Sequence, residues 1–132
     1  LFKIVPAPDY SKEDLDYNDN SSRVCKEYAD PALRNISLEK SSVPDFASYD
    51  TVYVGYPIWW GIAAWPVNSL LKNLSLEGKK VYPFCTSYSS PLGESDRKLE
   101  QDVNRGGEWK SGVRFRFDAP DSEVLNWLSA LK

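Results

Sequence analysis

The sequence contains no histidine, and this absence excludes several kinds of active site. A Ser–His–Asp triad, a histidine metal site and acid–base catalysis by imidazole all need that side chain. Only two cysteines occur, Cys25 and Cys85, and they lie far apart in the sequence. No CxxC motif exists, so a thioredoxin-like redox site and a four-cysteine zinc site are excluded as well. We therefore expect no metal site.

Methionine is also absent, even at residue 1. We therefore do not expect Leu1 to be the natural translation start, and we expect that further residues precede it in the native protein. Any signal peptide would have been among those residues. No apolar run approaches the ~20 residues that a membrane-spanning helix needs. We expect a cytoplasmic protein with no membrane span.

The charge balance is mild, with 16 Lys and Arg against 19 Asp and Glu in 132 residues. A nucleic-acid-binding protein usually carries a basic stripe, so this balance argues against a nucleic-acid partner. Hydrophobic residues make up 42% of the chain and charged residues 27%, which excludes a disordered chain. There is no internal repeat or linker, so we expect residues 1–132 to form one domain.

Strand-like and helix-like patterns alternate along the chain. The four predicted strands are 1–5, 51–56, 80–85 and 113–117. The four predicted helices are 23–29, 65–74, 96–103 and one that starts at Asp121 or Ser122, with Val124, Leu125, Leu128 and Leu131 facing inward. Strands that alternate with helices form βαβ units, so the sequence predicts an α/β fold with a parallel sheet.

Local patterns refine this prediction. Strands 51–56 and 80–85 are almost uniformly apolar, which is typical of strands buried on both faces. Strand 113–117 alternates strictly and is expected to be half exposed, near an edge of the sheet. Ser21 or Ser22 is predicted to cap the first helix, and Ser95 the third.

Unusual residues follow the two apolar strands, at the points where ligands bind in open α/β sheets. Trp59 and Trp60 follow the first strand, between Pro57 and Gly61, and a run of small hydroxyl residues around a tyrosine, 86–90, follows the second. Aromatic faces beside short polar groups suit a flat, conjugated ligand, and an isoalloxazine ring is the obvious candidate. The alternative is that the two indoles simply pack in the core and the second segment is an ordinary loop.

Other conspicuous residues have simpler interpretations. Trp65, Trp109 and Trp127 lie in helical or pre-strand contexts and are expected to pack in the core. Cys85 lies within a buried strand and is expected to behave as an inert hydrophobic residue. Cys25 lies on a short helix and has no predicted role.

The segments Tyr-Pro-Ile-Trp-Trp-Gly at 56–61 and Gly-Lys-Lys-Val-Tyr-Pro-Phe-Cys-Thr-Ser at 78–87 resemble the flavodoxin-like FMN-binding family, which is common in bacteria. Residues 17–24, followed by Glu27, resemble a Gram-positive branch of that family. The resemblance covers essentially the whole chain. It implies a flavodoxin-like three-layer sandwich with strand order 2-1-3-4-5, and FMN as a non-covalent cofactor.

The resemblance also implies which residues contact the flavin. Residues 57–61 would border one side of the isoalloxazine ring, and residues 86–90 with Gly93 the other. Trp59, Trp60 or Tyr88 would stack on the ring. The implied cofactor-binding residues are Pro57, Ile58, Trp59, Trp60, Gly61, Thr86, Ser87, Tyr88, Ser89 and Gly93.

One departure from the family is large. The family begins with a strand that leads into a T/S-x-T-G-x-T loop, which holds the FMN phosphate at a helix N-terminus. No such motif occurs here, and the resemblance starts at the second strand of the family, so the first strand and first helix are expected to be missing. Three explanations are open: the chain is a fragment, a partner donates a strand, or residues 1–5 pair directly with strand 51–56.

Several functions remain open at this stage. The resemblance implies a flavoprotein that carries electrons or reduces a small acceptor such as a quinone, or an NAD(P)H-dependent FMN reductase, so enzyme activity is uncertain. The alternative is a non-redox binding module that no longer holds FMN, because the phosphate loop is absent. A sugar-stacking role for Trp59 and Trp60 is disfavoured, since no acidic pair is placed for glycoside chemistry. The redox partner and a homodimer are left open.

Overall fold

The computed structural model describes residues 1–131. Its strands are β1 (Thr51–Trp59), β2 (Ile62–Ala63), β3 (Lys80–Ser87), β4 (Glu108–Trp109) and β5 (Val113–Arg116). Its helices are α1 (Arg23–Ala29), α2 (Pro66–Leu71), α3 (Ser95–Val103) and α4 (Asp121–Ala130), with short 3₁₀ helices at Pro31–Arg34 and Phe46–Ser48. This mixed arrangement confirms the predicted α/β fold class.

The sheet is mostly parallel. β1 pairs with β3, and β3 pairs in turn with β4 near its start and with β5 near its end, all in parallel. The short β2 is antiparallel to the end of β1. β3 is therefore the central strand, and its residues Val81, Tyr82 and Pro83 are all buried, as the apolar pattern predicted. β5 pairs only with β3 among these strands, which fits its predicted place near an edge.

β1 is buried on one face only, so the prediction of burial on both faces was wrong for this strand. Val54 and Tyr56 point into the main core, against α2 and α3. Tyr53, on the other face, is 49% exposed, and Thr51 and Gly55 beside it are exposed as well. α4 reaches this face through Trp127, which packs edge-on against Tyr53, and leaves much of it uncovered.

One edge of β1 has no neighbouring strand. Lys80 N donates to Asp50 O at 2.9 Å, so the even-numbered residues of β1 direct their backbone groups to β3. The backbone groups of Thr51, Tyr53 and Gly55 point the other way, where no strand formed by residues 1–131 pairs with them. The gap that the resemblance implies in the sheet thus lies along this edge.

The N-terminal segment does not fill that gap. Residues 1–5 form no strand, so the predicted strand was wrong, and so was its direct pairing with β1. Their extended chain instead runs beside 37–39, with a single bridge between Pro6 and Leu38. Prolines at 6 and 8 limit further pairing because they donate no backbone hydrogen bond. A cavity of about 700 Å³ lies between this segment, β1 and α2.

The helix boundaries follow the predictions in part. α1 spans the predicted residues, and Ser22 caps it by accepting from Cys25 N. α2 is shorter than predicted, although its predicted inner residues Val67, Leu70, Leu71 and Leu74 are all buried. Ser95 does not cap α3 as predicted, because its hydroxyl group is buried against the hydroxyl group of Tyr56.

α4 differs from the prediction in which residues it buries. Leu125 was expected to face inward, but it is 60% exposed. Trp127 makes the principal aromatic contacts of this helix, with ring centroids 5.8 Å from Phe84 and 5.6 Å from Phe115. The expectation that Trp127 is a packing residue is confirmed, as it is for Trp65, which is 2% exposed, and for Trp109, which packs against the main core.

Candidate flavin-binding rim

The register of β1 and β3 brings the two predicted loops to one end of the sheet. Pro57 lies opposite Thr86, and the pairing is parallel, so the strands end side by side. We call this end of the sheet the rim, and define it by residues 57–61 and 86–93. Both groups therefore lie at the same edge of the sheet, as the sequence predicted.

The first half of the rim is a β-hairpin rather than a loop. Pro57, Ile58 and Trp59 continue β1, and Trp60 and Gly61 form a two-residue turn into β2. Both turn residues have positive φ, 48° for Trp60 and 80° for Gly61, as a type I′ turn requires. The sequence prediction missed β2, although a two-residue step ending in glycine between apolar residues is a hairpin signal.

An aromatic cluster surrounds this hairpin, and we define it as Tyr10, Tyr28, Trp59, Trp60 and Trp65. Tyr28 stacks on Trp60 with ring centroids 4.4 Å apart and planes 6° from parallel. Trp59 meets Tyr10 and Trp65 edge to face, at 5.3 and 4.9 Å. Trp60 remains 39% exposed, whereas Trp59 is half-buried. Of the two predicted indoles, Trp60 is therefore the one with free surface.

The second half of the rim is held by an arginine that sequence reasoning missed. Thr86 and Ser87 belong to the end of β3, and the loop begins after them. Arg114 of β5 donates from Nε to Ser87 Oγ at 2.6 Å and from Nη2 to the carbonyl oxygens of Ser87 and Tyr88. The Ser87 hydroxyl group in turn donates to Ser90 O. A guanidinium group thus fixes the start of this loop.

The outer part of the loop is open. Tyr88 is 75% exposed and stacks on Phe117, with ring centroids 4.8 Å apart. Ser89 and Gly93 are exposed as well. A Cβ placed on Gly93 or on Gly61 would meet no atom within 4 Å. Both halves of the rim therefore have free space beside an exposed aromatic ring.

The structure does not gather all ten predicted residues around one cavity. Of the ten, only Pro57 and Trp59 line the cavity of about 700 Å³ along β1. A second cavity of about 520 Å³ lies between the 3₁₀ helix Pro31–Arg34, α2 and α3, and none of the ten lines it. Residues 86–93 line neither of these cavities. Within residues 1–131, the predicted site is a surface rim rather than an enclosed pocket.

Three groups near the rim have raised pKa values because they are removed from water. Burial raises the pKa of Tyr56 to about 12. Burial, followed by the hydrogen bond to Glu27, raises the pKa of Tyr10 far above its ordinary value. Burial also raises the pKa of the Cys85 thiol, which is completely buried, consistent with its predicted inertness. All three groups are therefore neutral near pH 7.

Comparisons with known proteins agree with this architecture. A family model described as flavodoxin matches residues 1–131. The chain belongs to the flavodoxin family. A candidate flavoprotein from Bacteroides uniformis ATCC 8492, solved by crystallography, is 33% identical, with a TM-score of 0.87 over 97% of this chain and 80% of that one. Another from Bacteroides eggerthii DSM 20697 is 34% identical, with a TM-score of 0.83 over 98% and 79%.

A more distant structure is a flavoprotein from Lactobacillus acidophilus NCFM in complex with FMN. It is 29% identical and aligns over 70% of this chain and 56% of that one, with a TM-score of 0.45. That superposition is too loose for residue-level comparison. A search of curated proteins finds no match to the chain.

The rim of this flavodoxin-family chain fits the ring of FMN better than its phosphate group. Trp60 and Tyr88 are exposed rings, each stacked on one face by a neighbouring ring, and aromatic rings also stack on an isoalloxazine ring. α3 begins directly after the second half of the rim, and there Glu94 precedes the helix and Asp96 lies in its first turn. The negative charges of these two carboxylates repel a phosphate dianion at this helix start. The residues present therefore fit the flavin ring, and they offer no phosphate site at α3.

Two further observations concern the part of the chain that the structure describes. Of the helices formed by residues 1–131, none combines the length and apolar character that crossing a bilayer needs. Among the same residues, no group of three or more metal-ligating side chains converges.

Proposed function

We propose that this flavodoxin-family protein binds FMN non-covalently at the rim, and uses it to carry electrons or to reduce a small acceptor such as a quinone. The observation that carries the proposal is the parallel register that sets Pro57 beside Thr86, so that an indole and a hydroxyl-rich loop share one end of the sheet. Family membership supports the choice of flavin. We include a cytoplasmic location in the proposal.

The residues of the rim would hold the ring in two ways. Trp60 and Tyr88 would stack on it, and each such contact is worth about 0.5–1.5 kcal/mol beyond the area it buries. The backbone of 86–90, braced by Arg114, would offer hydrogen-bonding groups at a fixed position. FMN itself supplies the redox chemistry when bound, and the protein supplies orientation and a local field. The side chains of the rim then need not exchange protons.

A second function is favoured by a specific observation. The residues present offer no phosphate site at α3, and the carboxylates of Glu94 and Asp96 repel anions there. In this alternative the chain no longer holds FMN and acts as a non-redox binding module. The two functions differ in whether flavin binds at all, so a binding experiment separates them.

The experiment compares FMN with riboflavin, which has the same ring and no phosphate group. Both are titrated into the protein while tryptophan fluorescence is followed. If stacking at the rim is the main contact, both quench the fluorescence, with Kd values within about threefold of each other, because the ring carries the binding energy. A lack of quenching by either flavin would overturn the proposal in favour of the binding module.

A matched pair of variants locates the flavin. Tyr88 and Tyr17 are both strongly exposed tyrosines, at 75% and 71%, but only Tyr88 lies on the rim. Tyr88→Ala is expected to raise the Kd for riboflavin by about fivefold, the loss of one stacking contact. Tyr17→Ala is expected to leave it unchanged. Equal effects of the two variants would place the flavin elsewhere.

A further inference from the structure

The carboxylate of Glu27 lies buried beneath the aromatic cluster. Glu27 is on α1, is only 6% exposed and accepts three side-chain hydrogen bonds. Its Oε1 accepts from the Tyr10 hydroxyl group at 2.6 Å and from Trp65 Nε1 at 2.8 Å. Its Oε2 accepts from Arg23 Nε at 3.1 Å. One oxygen atom thus joins two aromatic rings that are 55 residues apart in the sequence.

Those two rings are the ones that flank Trp59. Tyr10 and Trp65 each meet Trp59 edge to face, with interplanar angles of 74° and 76°. Trp65 also lies beside Trp60, with ring centroids 6.2 Å apart and planes at 18°. Trp59 therefore contacts both rings that donate to Glu27 Oε1, and Trp60 contacts one of them, Trp65, in addition to Tyr28.

Two arginines support the same arrangement. Arg23 lies over the Tyr10 ring at 3.8 Å and balances the charge of the carboxylate. Arg34 lies over the Trp65 ring at 4.8 Å and donates to the backbone oxygen of Glu27 at 2.8 Å. A fully bonded, charge-balanced network of this kind holds its members in single orientations.

We propose that Glu27 is a positioning residue of the rim, whose carboxylate fixes the orientation of Trp59 and Trp60 through Tyr10 and Trp65. The inference rests on the proposed function in one respect, namely that the oriented indole is then a contact for flavin. Its structural half is independent of flavin and can be measured on the protein alone.

The test compares two substitutions of Glu27. Glu27→Gln keeps an acceptor oxygen at the same reach, whereas Glu27→Leu keeps the bulk and removes the acceptor. The near-ultraviolet circular dichroism of the coupled indoles is expected to persist in Glu27→Gln and to fall by about half in Glu27→Leu, because only the second frees both rings. Glu100→Leu, the same change at an exposed helical position, is the control and should leave the spectrum unchanged.

Flavin binding provides the second readout. Glu27→Leu is expected to raise the Kd for FMN about tenfold, and Glu27→Gln by less than about threefold. If Glu27 only stabilises the fold, folded Glu27→Leu will melt earlier yet keep the wild-type spectrum and Kd, and that result would overturn the proposal. If the unaltered protein binds no FMN, the proposed function fails, while the indole spectrum still decides the role of Glu27.

A further variant covers the case in which Glu27→Leu does not fold. Tyr10→Phe, at a half-buried loop position, removes one of the two donors to Glu27 Oε1 and keeps the ring. Tyr10→Phe is expected to reduce the near-ultraviolet circular dichroism of the indoles, as Glu27→Leu does, but by a smaller amount. An unchanged indole spectrum in folded Tyr10→Phe would contradict the proposal.

Discussion

The ring of Phe84 on β3 lies against Gly55 on β1. A Cβ added to Gly55 would lie 2.4 Å from Phe84 Cζ and 2.6 Å from Cε2, far inside van der Waals contact. Phe84 has little freedom to move away, because Phe115 and Trp127 pack against it on other sides. The absence of a side chain at residue 55 is therefore what lets this ring lie across the exposed face of the sheet.

Gly55→Ala is expected to lower the free energy of unfolding by about 1–3 kcal/mol, the usual cost of overpacking. The sign of this change distinguishes a crowded site from an uncrowded one, since a glycine-to-alanine change in an uncrowded strand stabilises the fold by about 0.5–1 kcal/mol. Urea unfolding measures the change. Adding Phe84→Leu should recover part of the loss, and a double-mutant cycle with no coupling would contradict the contact.

The β1–β2 turn offers a test of backbone conformation without side-chain crowding. Gly61 has φ 80°, and a Cβ there would meet no atom within 4 Å. Gly61→Ala should therefore destabilise through the left-handed conformation alone, by about 1–2 kcal/mol. Gly61→Asn should cost less, because asparagine tolerates this region. Thermal unfolding of both variants measures the difference, and equal losses would argue against a type I′ turn.

We expect the free energy of unfolding to fall at alkaline pH because of Tyr56. Burial raises its pKa to about 12 in the folded protein, from an ordinary value of 10.0. Above about pH 10 the unfolded chain has lost this proton while the folded chain keeps it, so the contribution of Tyr56 to stability is full below pH 10. It falls by up to about 1.4 kcal/mol per pH unit between pH 10 and 12.

The measurement is denaturant unfolding of the unaltered protein and of Tyr56→Phe across that range. The variant lacks the titrating hydroxyl group, so its stability should fall less steeply with rising pH. Its hydrogen bond to Ser95, 3.0 Å long, is also lost, and Tyr56→Phe should be less stable at pH 7 by about 1 kcal/mol. Parallel pH profiles would show that Tyr56 does not titrate in this window.

The two thiols should react at very different rates. Cys25 is half-buried near the surface, whereas Cys85 is completely buried, and burial raises its pKa, which suppresses the reactive thiolate. An aromatic disulfide reagent should therefore modify one thiol in the folded protein and both in denaturant. Cys25→Ser should abolish the fast reaction. A fast reaction that survives this substitution would show that β3 opens readily.

Periodicity and composition were enough to predict the elements that depend on local sequence. β3 was predicted because consecutive apolar residues fit a strand covered on both faces, and α1 because Ser22 caps it and Pro31 follows. β1 has the same composition, yet one of its faces is exposed. The difference in burial between β1 and β3 depends on whether helices cover each face of the sheet, and the residues of a strand do not indicate whether they do.

The candidate site also has some features that local sequence predicts and others that depend on long-range contacts. Proline, tryptophan and glycine at 57–61 and the hydroxyl residues at 86–90 mark two strand ends, and the rule for parallel sheets placed them at one edge. The hairpin into β2 was missed because two residues are too few to show alternation. Glu27, Tyr28 and Arg114 were missed as residues that support the rim, because the partners they contact there are far away in sequence.

Local sequence alone decided the alternation of the longer elements from α1 onward and the positions of the two strand ends, since backbone propensity and side-chain periodicity act over a few residues. Only the packed chain decided which indole stays exposed, which carboxylate orients it and which edge of β1 lacks a neighbour. Those features depend on contacts such as that of Glu27 with Trp65, 38 residues apart, which form only when α1 meets the residue that caps α2. Burial and long-range hydrogen bonds are properties of the assembled fold.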